Sequence, residues 1–311
     1  MNKKLYMILA ITFYFPISTA LPTKQPLKKI KSFLTRNKPE KIEQKELSTL
    51  HVDSVSIHNI NGPITIKTGW KKNSLFLKTT KRTRKHEDLN NLKIIIDSSK
   101  EHHLAIATKQ IDKKISGTVE YELIVPASLN VALSISGNGQ ALIKDIGGTI
   151  QVVTNDTITI SNTHNNVSAQ TFKKGAIIVS NASGPVSAIT QHGNITGNAI
   201  ANNFSAHSTT GKITVAYAKL PSTSNVELES IAGNIFLMLP TDTNAEIRGH
   251  TAHGTIISDH YITLKPYATQ LNRTAWNRFT KEVNGILGTG QATIALRSTK
   301  GNVKIIETKI I

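Results

Sequence analysis

From Gly139 to Gly254 the chain restates one short phrase: an apolar pair, a polar turn, a glycine, then a second apolar pair. It is plainest in Val186-Ser187-Ala188 leading to Gly193-Asn194-Ile195, in Phe204-Ser205-Ala206 leading to Gly211-Lys212-Ile213, and in Val226-Glu227-Leu228 leading to Gly233-Asn234-Ile235. The turn anchors Gly139, Asp156, Gly175, Gly193, Gly211, Gly233 and Gly254 follow at intervals of 17, 19, 18, 18, 22 and 21 residues. A period near twenty is the mark of a solenoid, because one such unit cannot bury its own apolar stripe and must stack on its neighbours. The expected fold is therefore all-β: a parallel β-solenoid or β-helix with coils of about 18–22 residues.

The inside of one unit supports this. Ile158, Ile177, Ile195, Ile213, Ile235 and Ile256 lie two residues past successive anchors, and Ile160, Val179, Val215 and Leu237 lie four past. That alternation describes a strand with one buried face. Val186, Ile195, Phe204 and Ile213 recur every nine residues, so each coil has two strand-and-corner halves. Glycine at the corner suggests positive φ, a region Asp156 also tolerates. Calcium-binding nonapeptide rolls need Gly-Gly-x-Gly-x-Asp turns, and turns such as Gln191-His192-Gly193 lack the carboxylates. The apolar spacing also differs from a hexapeptide helix. An ordinary β-sandwich with many short strands is the alternative.

Lys3 and Lys4, the apolar stretch Leu5 to Pro16 and the small residues Ser18-Thr19-Ala20 read as a secretory signal peptide over 1–20, cleaved near Ala20. This predicts an exported protein, periplasmic, in the cell envelope or extracellular. The chain has no Cys, which removes disulfides and thiolate metal sites. The formal charge is +17, a surplus that favours anionic surroundings; the expected partners are envelope polymers, anionic lipids or surface proteins. Residues 21–50, with eight Lys or Arg against three Glu and with Pro22, Pro26 and Pro39, read as a basic flexible tether carrying a short helix near Glu40 to Leu50.

The remainder, 51–311, reads as one solenoid domain. Residues 51–128 are strand-rich but less regular, a cap or first layer with strands at Leu75–Thr80, Leu92–Asp97, His103–Thr108 and Thr118–Val125; 129–260 hold the regular coils. Segment 265–283, with Tyr267, Trp276 and Phe279, interrupts the rhythm, and 284–307 supply closing strands in which the phrase returns as Ile294, Leu296, Gly301, Val303 and Ile305.

Tyr121-Glu122-Leu123-Ile124-Val125-Pro126 followed by Leu129-Asn130-Val131 resembles the strand-Pro lead-in of the bacterial putative adhesin family known as domain of unknown function 4097. Asn284-Gly285-Ile286-Leu287-Gly288 and Ser298-Thr299-Lys300-Gly301-Asn302-Val303 resemble that family's closing strands. The resemblance covers roughly residues 50–307 and implies an exported or envelope-associated β-solenoid of putative adhesin type, with no particular biochemical role attached. The chain departs from the family pattern at Asp156, in the His250 to Gly254 coil and in the 265–283 insertion.

The sharpest candidate site is the basic run Lys71, Lys72, Lys78, Lys81, Arg82, Arg84 and Lys85, which contains no acid. Clustered cations of this kind clamp phosphate or carboxylate polymers by releasing their counterions; the plain alternative is a solvated loop between strands. No aromatic RNA-binding fingerprint accompanies the run, so no specific nucleic-acid recognition is expected. His192, His207, His250 and His253 in the coils could hold a metal only if stacking aligned them, and corner exposure is the simpler expectation; no metal or other cofactor is assigned. Glu227 and Glu229 share a strand face at a spacing suited to glycoside chemistry, yet their alternation with Val226 and Leu228 is that of a solvent face. No catalytic residue is assigned. Corner residues such as Ser161-Asn162-Thr163 and Asn202-Asn203 read as hydrogen-bonding ladders. The functional expectation is a non-catalytic, adhesin-like envelope scaffold; the alternatives are a specific binder of envelope polysaccharide or lipid, and a carbohydrate-active enzyme on the same frame.

Overall fold

The computed structural model describes residues 39–69, 73–265 and 280–308. The signal segment, the tether up to residue 38, Lys71, Lys72 and the aromatic stretch 266–279 lie outside the described residues.

The alternation read from the repeat is the burial pattern of the strands: Val186–Thr190 and Ile213–Tyr217 each bury their first, third and fifth residues. The N-terminal part holds β1 (Glu40–Ser48), β2 (Ser54–Asn59), β3 (Ile64–Thr68), β4 (Ser74–Thr83), β5 (Leu92–Asp97), β6 (His103–Gln110) and β7 (Gly117–Val125), with a 3-10 helix over His86–Asn91. The regular part holds β8 (Asn130–Ile135), β9 (Ala141–Lys144), β10 (Ile150–Thr154), β11 (Ile158–Thr163), β12 (Val167–Thr171), β13 (Ile177–Ala182), β14 (Val186–Thr190), β15 (Ile195–Ile200), β16 (Phe204–Ser208), β17 (Ile213–Tyr217), β18 (Asn225–Ser230) and β19 (Ile235–Pro240). The C-terminal part holds β20 (Ala245–Thr251), β21 (Ile256–Ser258), β22 (Thr263–Leu264), β23 (Glu282–Leu287), β24 (Ala292–Ser298) and β25 (Val303–Thr308).

These strands form two long, mostly parallel sheets in a β-helix-like arrangement. Sheet I runs β1-β4-β7-β3-β9-β11-β13-β15-β17-β19-β25-β21, and sheet II runs β22-β23-β20-β24-β18-β16-β14-β12-β10-β8-β2-β6-β5. From β8 to β19 the chain crosses from one sheet to the other at every corner, which is why the half-coil spacing of nine residues recurs. Equivalent residues stack in register: Ile158, Ile177, Ile195, Ile213 and Ile235 make one buried file in sheet I, and Ile150, Val167, Val186, Phe204 and Val226 make one in sheet II. Both belong to one continuous core.

Spatial order departs from sequence order at both ends. The Gly254 coil does not stack on the Gly233 coil: β24 lies between β18 and β20, and β25 between β19 and β21. The outer edge of β20 is taken by β23, which folds back antiparallel and carries β22, so the last coil fills the inner edge. At the other end β8 pairs with β2 while β6 lies on the far side of β2. The irregular segment 51–128 is thus partly coils (β2 with β3, β6 with β7) and partly antiparallel edge, with β4 on β7, β1 on β4 and β5 on β6. The expected helix near Glu40 is strand β1 instead; pairing with the whole of β4 overrides the helix-forming Glu, Lys and Gln of that stretch.

The corner glycines serve a different purpose from the one their type suggests. Of the glycines at this corner only Gly62 has positive φ. At Gly193, Gly211 and Gly233 an added Cβ would lie 1.8, 1.6 and 1.9 Å from the carbonyl oxygen of the glycine in the adjacent coil, so glycine is required by close approach. Asp156 likewise does not occupy the left-handed region. Positive φ falls at the opposite corner, on Asp145, Asn162, Asn181 and Ala199, where Asn162 donates to Asp145 at 2.7 Å and Asn181 to Asn162 at 3.0 Å.

A buried hydroxyl column completes the glycine corner. Ser208 Oγ accepts from Gly211 N–H at 2.8 Å and donates to Gly193 C=O at 3.2 Å; Ser230, Ser298 and Thr251 repeat the arrangement on Gly233, Gly301 and Gly254. Asn59 plays the same part on Val119 C=O, at 2.7 Å.

Candidate functional site

Alternation along β4 divides the basic run. Lys78 and Arg82 project from the outer face of sheet I, whereas Lys81 points inward and is 7% exposed. Each has acidic neighbours. Lys78 donates to Glu122 at 2.8 Å, Lys81 to Glu43 at 3.2 Å, and Arg82 to both Glu40 and Glu120 at 2.8 and 2.7 Å. The carboxylates come from β1 and β7, strands far apart in sequence that flank β4 in the sheet. Hydrogen bonds from Lys41, and then from Lys81, hold the Glu43 carboxyl below its usual range; Glu122 raises Lys78 and Glu120 raises Arg82. Arg84 and Lys85 follow β4 in the turn before the 3-10 helix, where Lys85 meets Glu87 at 3.4 Å in full exposure.

A second polar constellation forms on the outer face of sheet II, near its C-terminal end. The register places His207, Glu229, Arg297, His250 and Glu282 side by side on β16, β18, β24, β20 and β23. One step along the strands, Ser205, Glu227, Ala295, Arg248 and Asn284 make a parallel row. Between them lies a cleft of about 360 Å³. Its floor is the short side chain of Ala295 and the backbone of Gly249, with Glu227 and Glu229 on one wall and Arg248 and His250 on the other.

Several polar side chains around the cleft have close partners. His207 Nδ1 lies 3.4 Å from Glu229, and His250 Nδ1 lies 3.6 Å from Glu282. Arg248 and Lys265 hold Glu246 at 2.9 and 3.0 Å and lower its carboxyl, Lys265 most strongly. Arg297 and Glu227, on adjacent strands, have no ion-pair partner among the described residues. The sequence spacing points to the Glu227/Glu229 face. It does not point to Arg297 and Glu282, which reach that face only because β24 inserts beside β18 and β23 folds back on β20.

The remaining coil histidines lie elsewhere. His192 Nδ1 contacts Thr210 Oγ1 at 3.1 Å at a corner. Among the described residues no three His, Asp or Glu side chains converge as a metal site would require. The corner Asn residues hydrogen-bond backbone: Asn202 donates to Ser183 C=O at 3.0 Å, while Asn194 and Asn234 accept from Lys212 and Asn302 N–H. No helix among the described residues is long and apolar enough to cross a membrane.

No protein-family model and no curated protein matches the chain. Among solved structures, similarity is found to a putative lipid binding protein from Parabacteroides distasonis, at 12% identity over 85% of this chain and 96% of that one, TM-score 0.48. A putative adhesin from Bacteroides fragilis matches at 11% identity over 86% and 97%, TM-score 0.45. A putative cell adhesion protein from Clostridium sporogenes matches at 10% identity over 86% and 100%, TM-score 0.25. These values assign this chain no role.

Proposed function

We propose that the chain is an exported, non-catalytic β-solenoid scaffold of adhesin type that mediates interactions at the cell envelope or surface, including contacts with anionic polymers. The carrying observation is how its polar side chains are arranged. Ser, Thr and Asn at the corners hydrogen-bond from coil to coil, which makes the stack rigid, while the outer faces of both sheets stay open along its length. The N-terminal signal pattern supports export, the surplus of positive charge supports anionic partners, and the sequence resemblance supports the adhesin type. The cleft that Glu227 and Glu229 line is open to solvent and leaves Glu227 exposed, which favours binding over hydrolysis.

Binding of the purified chain to a panel of envelope polymers and anionic vesicles, at low and moderate salt, tests this reading. Within the basic run, Arg84→Glu with Lys85→Glu is the informative variant, because reversing Lys81 or Arg82 also breaks the pairs that hold β1 to β4. Polyanion binding that survives moderate salt and falls at least tenfold in that variant supports the reading and gives the run a recognition role. Binding to nothing on the panel, or turnover of a glycan abolished by Glu227→Gln, overturns it.

A further inference from the structure

We propose that the cleft on sheet II binds a compact zwitterion, a molecule carrying an ammonium group and a phosphate or carboxylate. This goes beyond the scaffold reading, because it assigns a ligand class to a site far from the basic run. Three observations carry it.

The first is where the acids are. In a chain with a charge of +17, carboxylates are scarce along the regular coils, yet Glu227, Glu229, Glu246 and Glu282 gather at this one end of sheet II. Arg248 and Arg297 stand among these glutamates, which oppose a simple polyanion.

The second is which charges are left open. Glu227 and Arg297 flank Ala295, one across the strand pair and one along the strand, and neither is ion-paired among the described residues. A carboxylate supplies acceptors for an ammonium. A guanidinium supplies the planar fork that fits phosphate or carboxylate oxygens two at a time.

The third is the space. Ala295 is exposed and small, so a hollow remains where its neighbours carry long side chains. Glu227 and Arg297 stand on a diagonal, one strand and two residues apart, about 7–8 Å at the backbone. Both side chains are long enough to lean over Ala295 and close on a molecule whose ammonium and phosphate are joined by two carbons.

Calorimetry on the purified chain with phosphoethanolamine, ethanolamine and inorganic phosphate tests the proposal. Phosphoethanolamine is expected to bind at least tenfold tighter than either half-molecule. Arg297→Gln and Glu227→Gln should each lose at least tenfold, Ala295→Leu should abolish binding by filling the hollow, and Lys144→Gln, exposed on sheet I, should change nothing. These sites face solvent, and circular dichroism verifies that each variant keeps its fold. Flotation with phosphatidylethanolamine or phosphatidylglycerol vesicles separates the sources: loss of phosphatidylethanolamine binding in the same variants assigns a lipid headgroup, and binding of the soluble probe alone assigns a free zwitterion. Equal binding of the half-molecules, unchanged binding in the variants, or no binding of phosphoethanolamine overturns the proposal. Polymer binding that persists in that last case leaves the scaffold reading standing.

Discussion

At Gly211 a β-carbon would sit 1.6 Å from the carbonyl oxygen of Gly193, and neither atom belongs to a side chain that can turn away. Gly211→Ala must separate two coils or bend a strand, and is predicted to cost about 1–3 kcal/mol, the range of overpacking in a tight interior. Ser208→Ala removes the hydroxyl that serves both Gly211 N–H and Gly193 C=O, for a loss of about 1–3 kcal/mol. Urea unfolding of both variants checks these values. A compensated pair offers a sharper test. The ring of Phe204 lies 2.9 Å from where a Cβ on Gly197 would be, so Gly197→Val should be strongly destabilising alone and largely rescued by Phe204→Val. Burial raises the Tyr121 hydroxyl to about 12, against a hydrogen bond with Thr108 that lowers it. The group is therefore neutral in the folded state where the unfolded chain begins to ionise, and its stabilisation is intact below pH 10 and lost as pH rises towards 12. Tyr121→Phe should reduce the difference in stability between pH 9 and 12, and Tyr217, whose hydroxyl burial also raises, should supply much of what remains. Much of this was readable residue by residue: Ser208-x-x-Gly211, Ser230-x-x-Gly233, Thr251-x-x-Gly254 and Ser298-x-x-Gly301 state the hydroxyl column outright. Glycine's purpose was not readable, because close approach and positive φ select the same residue.

Among the elements, β24 and β25 separate what sequence can and cannot convey. Ile294, Leu296, Val303 and Ile305 announce a coil, and a coil is what forms; the phrase carries no information about which two coils it joins. Place is decided by pairing partners, here β18 and β20 for β24, and β19 and β21 for β25. An element near the chain end would ordinarily fray. Held on both edges, Leu296 and Ile305 are predicted to be among the slowest amides in hydrogen exchange, comparable with Leu228 and Leu237 in the neighbouring coil; exchange at the rate of a terminus would contradict the insertion. The same rule explains β1. Local composition favours a helix, but Ile42 and Leu47 sit opposite Thr80 and Leu75 across a full-length antiparallel pair, and the charged residues along β1 also guard an edge that would otherwise invite another strand.

On the scale of the whole stack, the ten strand pairs β6–β7, β2–β3, β8–β9 through β18–β19, β24–β25 and β20–β21 lie one on another, roughly 45 Å at the usual strand spacing. The repeat made the architecture legible and the cleft illegible, since Glu227, Ala295 and Arg248 are neighbours only after the last coil has been threaded inward. That threading is the claim on which both the fold and the cleft depend. Because the chain has no Cys, it can be tested by paired cysteines on exposed positions of sheet II. In the threaded order, Glu227→Cys with Ala295→Cys brings two Cα atoms to about one strand spacing, within disulfide reach, whereas Glu227→Cys with Arg248→Cys leaves them two strands apart and out of reach. Mild oxidation followed by peptide mass spectrometry should find the first disulfide in high yield and not the second; efficient closure of the second pair without the first would show the coils stacked in sequence order and contradict the account.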